Sequence, residues 1–124
     1  MASHVWQLTP MAFVANVNRS VAFYELLGFS VNNSFTPEGA HEPTWAWLTS
    51  NDAHLMVAKA SHPVAPEQQA VLFYLYADDV EKTRQSLLAA GLQPGPLKTE
   101  FYAPKGEFRL HDPDGYVLMV THMS

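Results

Sequence analysis

The sequence repeats itself at an offset of 63 residues, about half of its length of 124. Separate stretches match at this one offset: a polar residue before Val, a hydroxyl side chain, a Gly before an apolar residue, and an apolar triplet. The matching pairs are Asn16-Val17 with Asp79-Val80, Ser20 with Thr83, Gly28-Phe29 with Gly91-Leu92, and Leu55-Met56-Val57 with Leu118-Met119-Val120. A period of half the chain predicts two copies of one supersecondary unit, not a solenoid.

Each copy is predicted to be a β-α-β-β-β unit, which makes the expected fold class α+β. The first copy has predicted strands Val5–Ala15 (interrupted at Pro10), Phe29–Phe35, Thr44–Thr49 and Ala53–Ala58, with a helix over Asn18–Leu27 that Asn16 and Asn18 can cap. The second has strands Ala70–Ala77, one from about Gln93, Glu107–His111 and Tyr116–His122, a helix over Asp79–Ala90, and a loop through 103–106. We expect one domain over residues 1–124, with modules at about 5–58 and 70–122 and a linker over 59–69.

Composition favours a globular protein without nucleic-acid or membrane partners. Hydrophobic residues make up 48% and charged residues 15%, and the absence of cysteine excludes disulfides and thiolate metal sites. The net charge of −5 is spread along the chain without clustered Lys and Arg. An acidic balance attracts cations, although ordinary solubility charge is the simpler interpretation. No leader pattern and no apolar run of about 18 residues occurs, so we expect a cytoplasmic protein.

Alternation along the strands predicts one aliphatic and one aromatic face for each sheet. The aliphatic face, which a helix should cover, carries Ala46, Leu48, Leu55, Val57, Val71, Phe73, Leu75, Leu118 and Val120. The opposite face carries Met11, Phe13, Trp45, Trp47, His54, Met56, Leu72, Tyr74, Tyr76, Val117 and Met119. The tryptophans, with Phe35, Phe101 and Tyr102 in flanking segments, suit a wall for planar ligands. The alternative is that they lie in the core or in a subunit interface.

Two motifs resemble the glyoxalase/bleomycin resistance protein/dioxygenase (vicinal oxygen chelate) superfamily. They are Val-x-x-Ser-Val-Ala-Phe-Tyr-x-x-Leu-Gly-Phe at 17–29 and Gly-Glu-Phe-Arg-Leu-His-Asp-Pro-Asp-Gly-Tyr at 106–116, and the resemblance extends over about 8–122. It implies a mixed sheet curled around a cavity, with the helices outside. It leaves several functions open, because members include metal-dependent lyases, thiol transferases, ring-cleaving dioxygenases and non-catalytic drug-binding proteins.

Enzymes of this superfamily hold a divalent metal with His, Gln or Glu from the first and last strands of the units. The resemblance places Thr9, Met56, Ala70 and Met119 at those positions. None of the four offers an imidazole or a carboxylate, and a shift of the first strand would add only Gln7. We therefore expect no metal and no other cofactor, as in the metal-free members that resemble bleomycin-resistance proteins.

The histidines suggest no other catalytic site. His54 shares the predicted aromatic face, whereas the other five lie in a terminus, loops or strand ends: His4, His41, His62, His111 and His122. A lone histidine on such a face is more often a packing or ligand hydrogen-bonding group than a catalyst.

The predicted function is the binding and sequestering of a small aromatic or cationic ligand, such as an antibiotic, by a homodimer that completes its cavity with a partner chain. The predicted ligand-binding residues are Phe35, Trp45, Trp47, His54, Met56, Tyr74, Phe101, Tyr102 and Met119, with no catalytic residue. Bleomycin-binding relatives carry an aromatic residue just before Gly-x-Glu-Phe, where this chain has Pro104 or Lys105. Two alternatives remain. The first is an enzyme, which uses either a relocated metal or His54 with a tyrosine as acid and base. The second is a dimer that fills its cavity with its own side chains.

Overall fold

The structure is a computed structural model that describes residues 3–123. The chain divides between Val64 and Ala65 into two compact units, each with one α-helix and one open four-stranded sheet. This division lies inside the predicted linker, residues 59–69. Within residues 3–123, neither helix is long and apolar enough to span a membrane.

The first unit contains β1 (Met11–Val14), α1 (Val17–Glu25), β2 (Ser30–Phe35), β3 (Trp45–Ser50) and β4 (Ala53–Lys59). Its strand order is β1-β4-β3-β2, with β1 parallel to β4 and the other pairs antiparallel. Asn16 caps the start of the helix, because its side chain accepts a hydrogen bond of 2.8 Å from the Arg19 backbone N–H. Helix α1 packs against β2, β3 and β4 and so covers one face of the sheet.

The second unit repeats this arrangement. After a short 3-10 turn at Pro66–Gln68 come β5 (Leu72–Ala77), α2 (Val80–Ala89), β6 (Lys98–Glu100), β7 (Ala103–His111) and β8 (Val117–His122). The strand order β5-β8-β7-β6 is that of the first unit, and Asp79 caps α2 through a 3.0 Å bond from the Lys82 backbone N–H. The predicted α+β fold with two βαβββ modules is confirmed.

Three strand predictions are wrong by more than two residues at a boundary, and proline explains two of them. The first strand begins at Met11, not Val5, because Pro10 has no N–H to donate and residues 3–10 form no regular structure. The strand expected from about Gln93 begins at Lys98, since Pro94 and Pro96 also lack an N–H.

The third error concerns residues 103–106, which were predicted to be a loop but belong to β7. The composition Pro-Lys-Gly is typical of turns. The turn lies earlier, at Phe101-Tyr102, because Glu100 pairs with Ala103 across the hairpin.

The core of each unit lies between its helix and the covered face of its sheet. The following residues of that face are at most 5% exposed: Ala46, Leu48, Leu55, Val57, Phe108, Leu110, Leu118 and Val120. Phe73 and Leu75 are half-buried, and Val71 was wrongly assigned to this face because it precedes β5 and is 55% exposed. The predicted alternation otherwise holds, so the opposite face of each sheet carries the aromatic and thioether side chains.

Candidate functional site

The first open face, which we define as the face of β1–β4 opposite α1, carries two rows of large apolar side chains. One row contains Met11, Met56 and Trp47, and the next contains Phe13, Ala58, Trp45 and Phe35. Phe13 and Phe35 are 53% and 58% exposed, and the tryptophans and Met56 are half-buried.

Ala58 is the small member of the second row and lies on β4 between Phe13 on β1 and Trp45 on β3. Neighbouring strands are about 4.8 Å apart, so β1 and β3 are separated by about 10 Å. Because its side chain is a methyl group, Ala58 projects less from the sheet than the aromatic side chains on either side of it.

His54 lies on the same face and is held by Trp47. The Trp47 indole Nε1–H donates to His54 Nδ1 at 3.2 Å, and the two rings meet edge to face with centroids 5.8 Å apart. An indole nitrogen can only donate, so Nδ1 is the acceptor in this bond. The contact fixes the orientation of both rings beside Met56.

The second open face, the face of β5–β8 opposite α2, is more polar. One row contains Tyr74, Met119 and Arg109, and the next contains Tyr76, Thr121 and Glu107. The rings of Tyr74 and Tyr76 stack with centroids 6.1 Å apart and planes 29° apart, and both side chains are exposed. This face combines an aromatic surface with ionisable groups.

Glu107 is a carboxylate that is only 7% exposed, and two tyrosines satisfy it. The Tyr102 hydroxyl donates to Oε2 at 3.0 Å, and the Tyr74 hydroxyl donates to Oε1 in a longer bond of 3.5 Å. Partial burial and then the Glu107 carboxylate raise the pKa of Tyr74, whereas the hydrogen bond to Glu107 is the main cause that raises the pKa of Tyr102. Both phenols therefore stay protonated at neutral pH and act as donors to this buried acid.

The turn between β6 and β7 consists of two aromatic residues, Phe101 and Tyr102. Their rings are in edge contact at 5.2 Å, and Phe101 is 96% exposed. Gly, Asn and Asp are the usual residues of such turns. Tyr102 is used by the fold itself through its hydrogen bond to Glu107, whereas the Phe101 side chain is left almost fully exposed.

Seven of the nine predicted ligand-binding residues lie on these two faces, and two lie in a turn. The first open face holds Phe35, Trp45, Trp47, His54 and Met56, and the second holds Tyr74 and Met119, with Phe101 and Tyr102 in the turn at the edge of its sheet. Glu107 was missed, because the predicted strand began at this residue and alternation was not extended through it. Its neighbour Phe108 is a core residue, so alternation from Phe108 would have placed Glu107 on the open face.

The four positions where the superfamily's metal ligands were expected do not fit a divalent metal. Thr9 offers a hydroxyl that already accepts a 2.9 Å hydrogen bond from Gln7, Met56 and Met119 offer thioethers, and Ala70 offers no donor atom. Across the described part of the chain, no three His, Asp or Glu side chains come together as a metal site would require.

The fold, the repeated modules and the motifs define the class of protein. A family model described as the Glyoxalase/Bleomycin resistance protein/Dioxygenase superfamily matches residues 6–120. The chain belongs to this superfamily.

Solved structures with the same fold include proteins that bind antibiotics. A bleomycin-binding protein complexed with bleomycin has a TM-score of 0.73 and 23% identity, covering 97% of this chain and 100% of its own. TnmS3, an antibiotic-binding protein from Streptomyces sp. CB03234, has a TM-score of 0.75 and 22% identity, with coverages of 99% and 98%. TioX from Micromonospora sp. ML1 has a TM-score of 0.76 and 17% identity, with coverages of 95% and 98%. Identities this low show the fold alone, and no curated protein sequence is significantly similar to this chain.

Proposed function

We propose that this chain is a small-molecule binding protein that sequesters a flat aromatic ligand, apolar or cationic, without metal and without chemistry. The observation that carries the proposal is the first open face, where Trp45, Trp47, Phe13 and Phe35 line two adjacent rows over the small side chain of Ala58. Aromatic pairs contribute about 0.5–1.5 kcal/mol each, so a ligand that stacks on two of these rings gains about 1–3 kcal/mol in addition to the burial of its apolar surface.

The similar structures support an antibiotic as the ligand class, because two of them are themselves antibiotic-binding proteins. The acidic balance of this chain, −5, favours a cationic compound over an anionic one. The position just before the Gly-Glu-Phe segment holds Lys105 and not an aromatic residue. The proposal therefore extends to planar antibiotics in general and does not assign bleomycin.

We propose further that the binding form is a homodimer in the cytoplasm and that residues 1–124 act as one domain. The open sheets and the exposed side chains of Val5, Trp6 and Leu8 leave apolar surface that a second copy would cover.

The enzyme alternative with His54 as an acid or base needs a tyrosine beside this ring. The partner that the structure gives His54 is the Trp47 indole, and the strands of the first sheet contain no tyrosine. A binding function therefore accounts better for the contacts of His54 than acid–base catalysis does.

A thermal-shift screen of glycopeptide antibiotics and planar heteroaromatic compounds tests the proposal. We expect at least one compound to raise the melting temperature in a saturable way, because a ligand that binds only the folded state stabilises it. The result that contradicts the proposal is a screen without any shift, together with consumption of a ketoaldehyde–thiol adduct or a catechol by the protein. That outcome would make the chain an enzyme on the same scaffold.

A further inference from the structure

His54 is the only titratable side chain that the strands of the first sheet place on the first open face. The other members of the rows around it are aromatic, aliphatic, thioether or small polar side chains. A ligand that stacks on this face therefore meets a surface without formal charge, with one imidazole ring at its edge. The ring nitrogen that carries the proton donates a hydrogen bond, so the position of this proton decides which polar group of a ligand the ring can bind.

The bond from Trp47 determines the tautomer of the neutral imidazole. The indole Nε1–H is a donor without acceptor capacity, and it approaches Nδ1 of His54 at 3.2 Å. Nδ1 must therefore present its lone pair, which leaves the proton of the neutral ring on Nε2. Trp47 thus fixes His54 as a hydrogen-bond donor at Nε2.

The Nε2 atom is accessible. Trp47 is the hydrogen-bond partner that the structure gives His54, and it occupies Nδ1. Among residues 3–123, no buried side-chain nitrogen or oxygen atom lacks a hydrogen-bond partner. Within these described residues Nε2 has no hydrogen-bond partner and is therefore not buried, so its N–H is open to solvent or to a ligand.

We infer that the Nε2–H of His54 donates a hydrogen bond to the ligand, and that the ligand is a planar aromatic compound with a carbonyl oxygen or a ring nitrogen at its edge. This inference rests on the proposed function and narrows its ligand class. A stacked ligand displaces water from Nε2–H, and a ligand without an acceptor leaves this donor unpaired, which costs binding free energy. The aromatic rows supply affinity, and His54 supplies the selection among flat compounds.

Isothermal titration with isoquinoline and naphthalene tests the inference at mildly alkaline pH, where the isoquinoline nitrogen carries no proton. The two probes have nearly the same shape, and only isoquinoline has an acceptor at its edge. We expect the protein to bind isoquinoline about three- to tenfold more tightly than naphthalene, the range that one net hydrogen bond gives.

Two substitutions of His54 separate the donor from the packing of the ring. His54→Phe keeps a flat ring without nitrogen, so the preference for isoquinoline should vanish while the affinity for naphthalene remains. His54→Gln should keep the preference, since its amide oxygen can accept from Trp47 while its NH₂ group donates to the probe. His62→Phe, which changes an exposed histidine outside the sheet, is the matched control and should leave both affinities unchanged.

Three results would overturn the inference while leaving the proposed function intact: equal affinities for the two probes in the unmodified protein, a preference that survives in His54→Phe, or a preference lost equally in His62→Phe. If neither probe binds and no planar compound shifts the melting temperature, the proposed function itself fails and the inference fails with it.

Trp47→Phe provides a second measure, because it removes the indole N–H that fixes the tautomer of His54. The His54 ring can then adopt either tautomer and should select isoquinoline less strongly than in the unmodified protein.

Discussion

Glu107 occupies in the second sheet the position that Trp45 occupies in the first. Trp45 pairs with Ala58 on the last strand of its unit, Glu107 pairs with Thr121, and Ala58 and Thr121 are related by the repeat offset of 63. Trp45 and Glu107 themselves are 62 residues apart, because four residues separate the paired Thr49 and His54 in the first hairpin, whereas five separate the equivalent pair His111 and Val117. The offset of 63 residues therefore relates the helices, β1 to β5 and β4 to β8, whereas β3 and β7 are related by 62.

The same register makes Arg109 the counterpart of Trp47, since they pair with Met119 and Met56. The first copy thus carries two indoles where the second carries a carboxylate and a guanidinium. The two units thus share their core pattern but differ in the chemistry of their open faces. The first suits stacking, and the second suits polar contacts around the Tyr74–Tyr76 pair.

The phenols of Tyr74 and Tyr102, which are hydrogen-bonded to Glu107, should titrate above the ordinary tyrosine pKa of 10.0. A pKa that folding raises means that the folded chain keeps its protons longer than the unfolded chain. The stability that these phenols contribute is therefore complete below about pH 10 and is lost as the pH rises through their folded-state pKa values. Ultraviolet absorbance of tyrosinate and urea unfolding across alkaline pH would measure both effects.

Glu107→Gln is the variant that tests the cause of these shifts. Without the carboxylate, the hydrogen bond and the charge that hold the two phenols protonated weaken, so tyrosinate should form at lower pH than in the unmodified protein. Glu81→Gln removes a carboxylate from the first turn of α2 and should leave the titration unchanged. Identical curves for Glu107→Gln and the unmodified protein would refute the assignment of Glu107 as their partner.

Gly115 lies in the turn before β8. Replacing it by Ala should destabilise the fold more than replacing Gly39, although the two glycines have nearly the same φ. Its φ is 86° and that of Gly39 is 84°. A Cβ at Gly115 would collide with Pro66, whereas a Cβ at Gly39 meets nothing within 4 Å. Gly39→Ala should cost about 1 kcal/mol from backbone strain alone, and Gly115→Ala should cost about 1–3 kcal/mol more.

Urea unfolding of both variants measures the difference, and Gly39→Ala serves as the control for strain without a collision. Equal losses of unfolding free energy would show that Pro66 moves aside at no cost. Such a result would also argue against a tight contact between the 3-10 turn and the Asp112–Gly115 turn.

The sequence predicted the fold well where hydrophobic alternation and capping agree, and poorly where composition misleads. Asn16 and Asp79 begin their helices, and Leu48, Leu55 and Leu118 lie in the core, because side-chain period and burial are local properties of the chain. The predicted loop at 103–106 was wrong, since its turn-like composition did not outweigh pairing with β6. The Trp47–His54 bond could not be predicted, because it depends on the strand register across a hairpin and on one rotamer of each ring.

Elemental analysis should find no zinc, nickel, manganese or iron at one atom per chain in protein purified without a tag. Thr9, Met56, Ala70 and Met119 offer no imidazole or carboxylate at the positions that hold the metal in related enzymes. A chelator should accordingly leave the melting temperature unchanged. One equivalent of any of these metals, retained through dialysis, would overturn the proposed metal-free binding function.

Light scattering at micromolar concentration should give twice the mass of one chain. Trp6 is 98% exposed, and Val5 and Leu8 beside it are also exposed, which is unusual for large apolar side chains of a monomer. Replacing Trp6 by Ser should weaken the association if this segment is buried by the second copy. A mass of one chain for the unmodified protein would reject the dimer.

Trp47→Ala should weaken ligand binding more than it weakens folding. Trp47 is half-buried on the first open face, whereas its neighbour Leu48 is fully buried on the covered face. Leu48→Ala is therefore the folding control and should cost about 2–5 kcal/mol of unfolding free energy, with Trp47→Ala costing less.

A flat cationic probe such as a methylacridinium salt should quench the tryptophan fluorescence of the unmodified protein. In Trp47→Ala its affinity should fall by about tenfold, since the cation–π contact contributes about 0.5–2 kcal/mol. If the variant loses stability like Leu48→Ala but binds the probe unchanged, Trp47 is a core residue and the first open face is not the binding site.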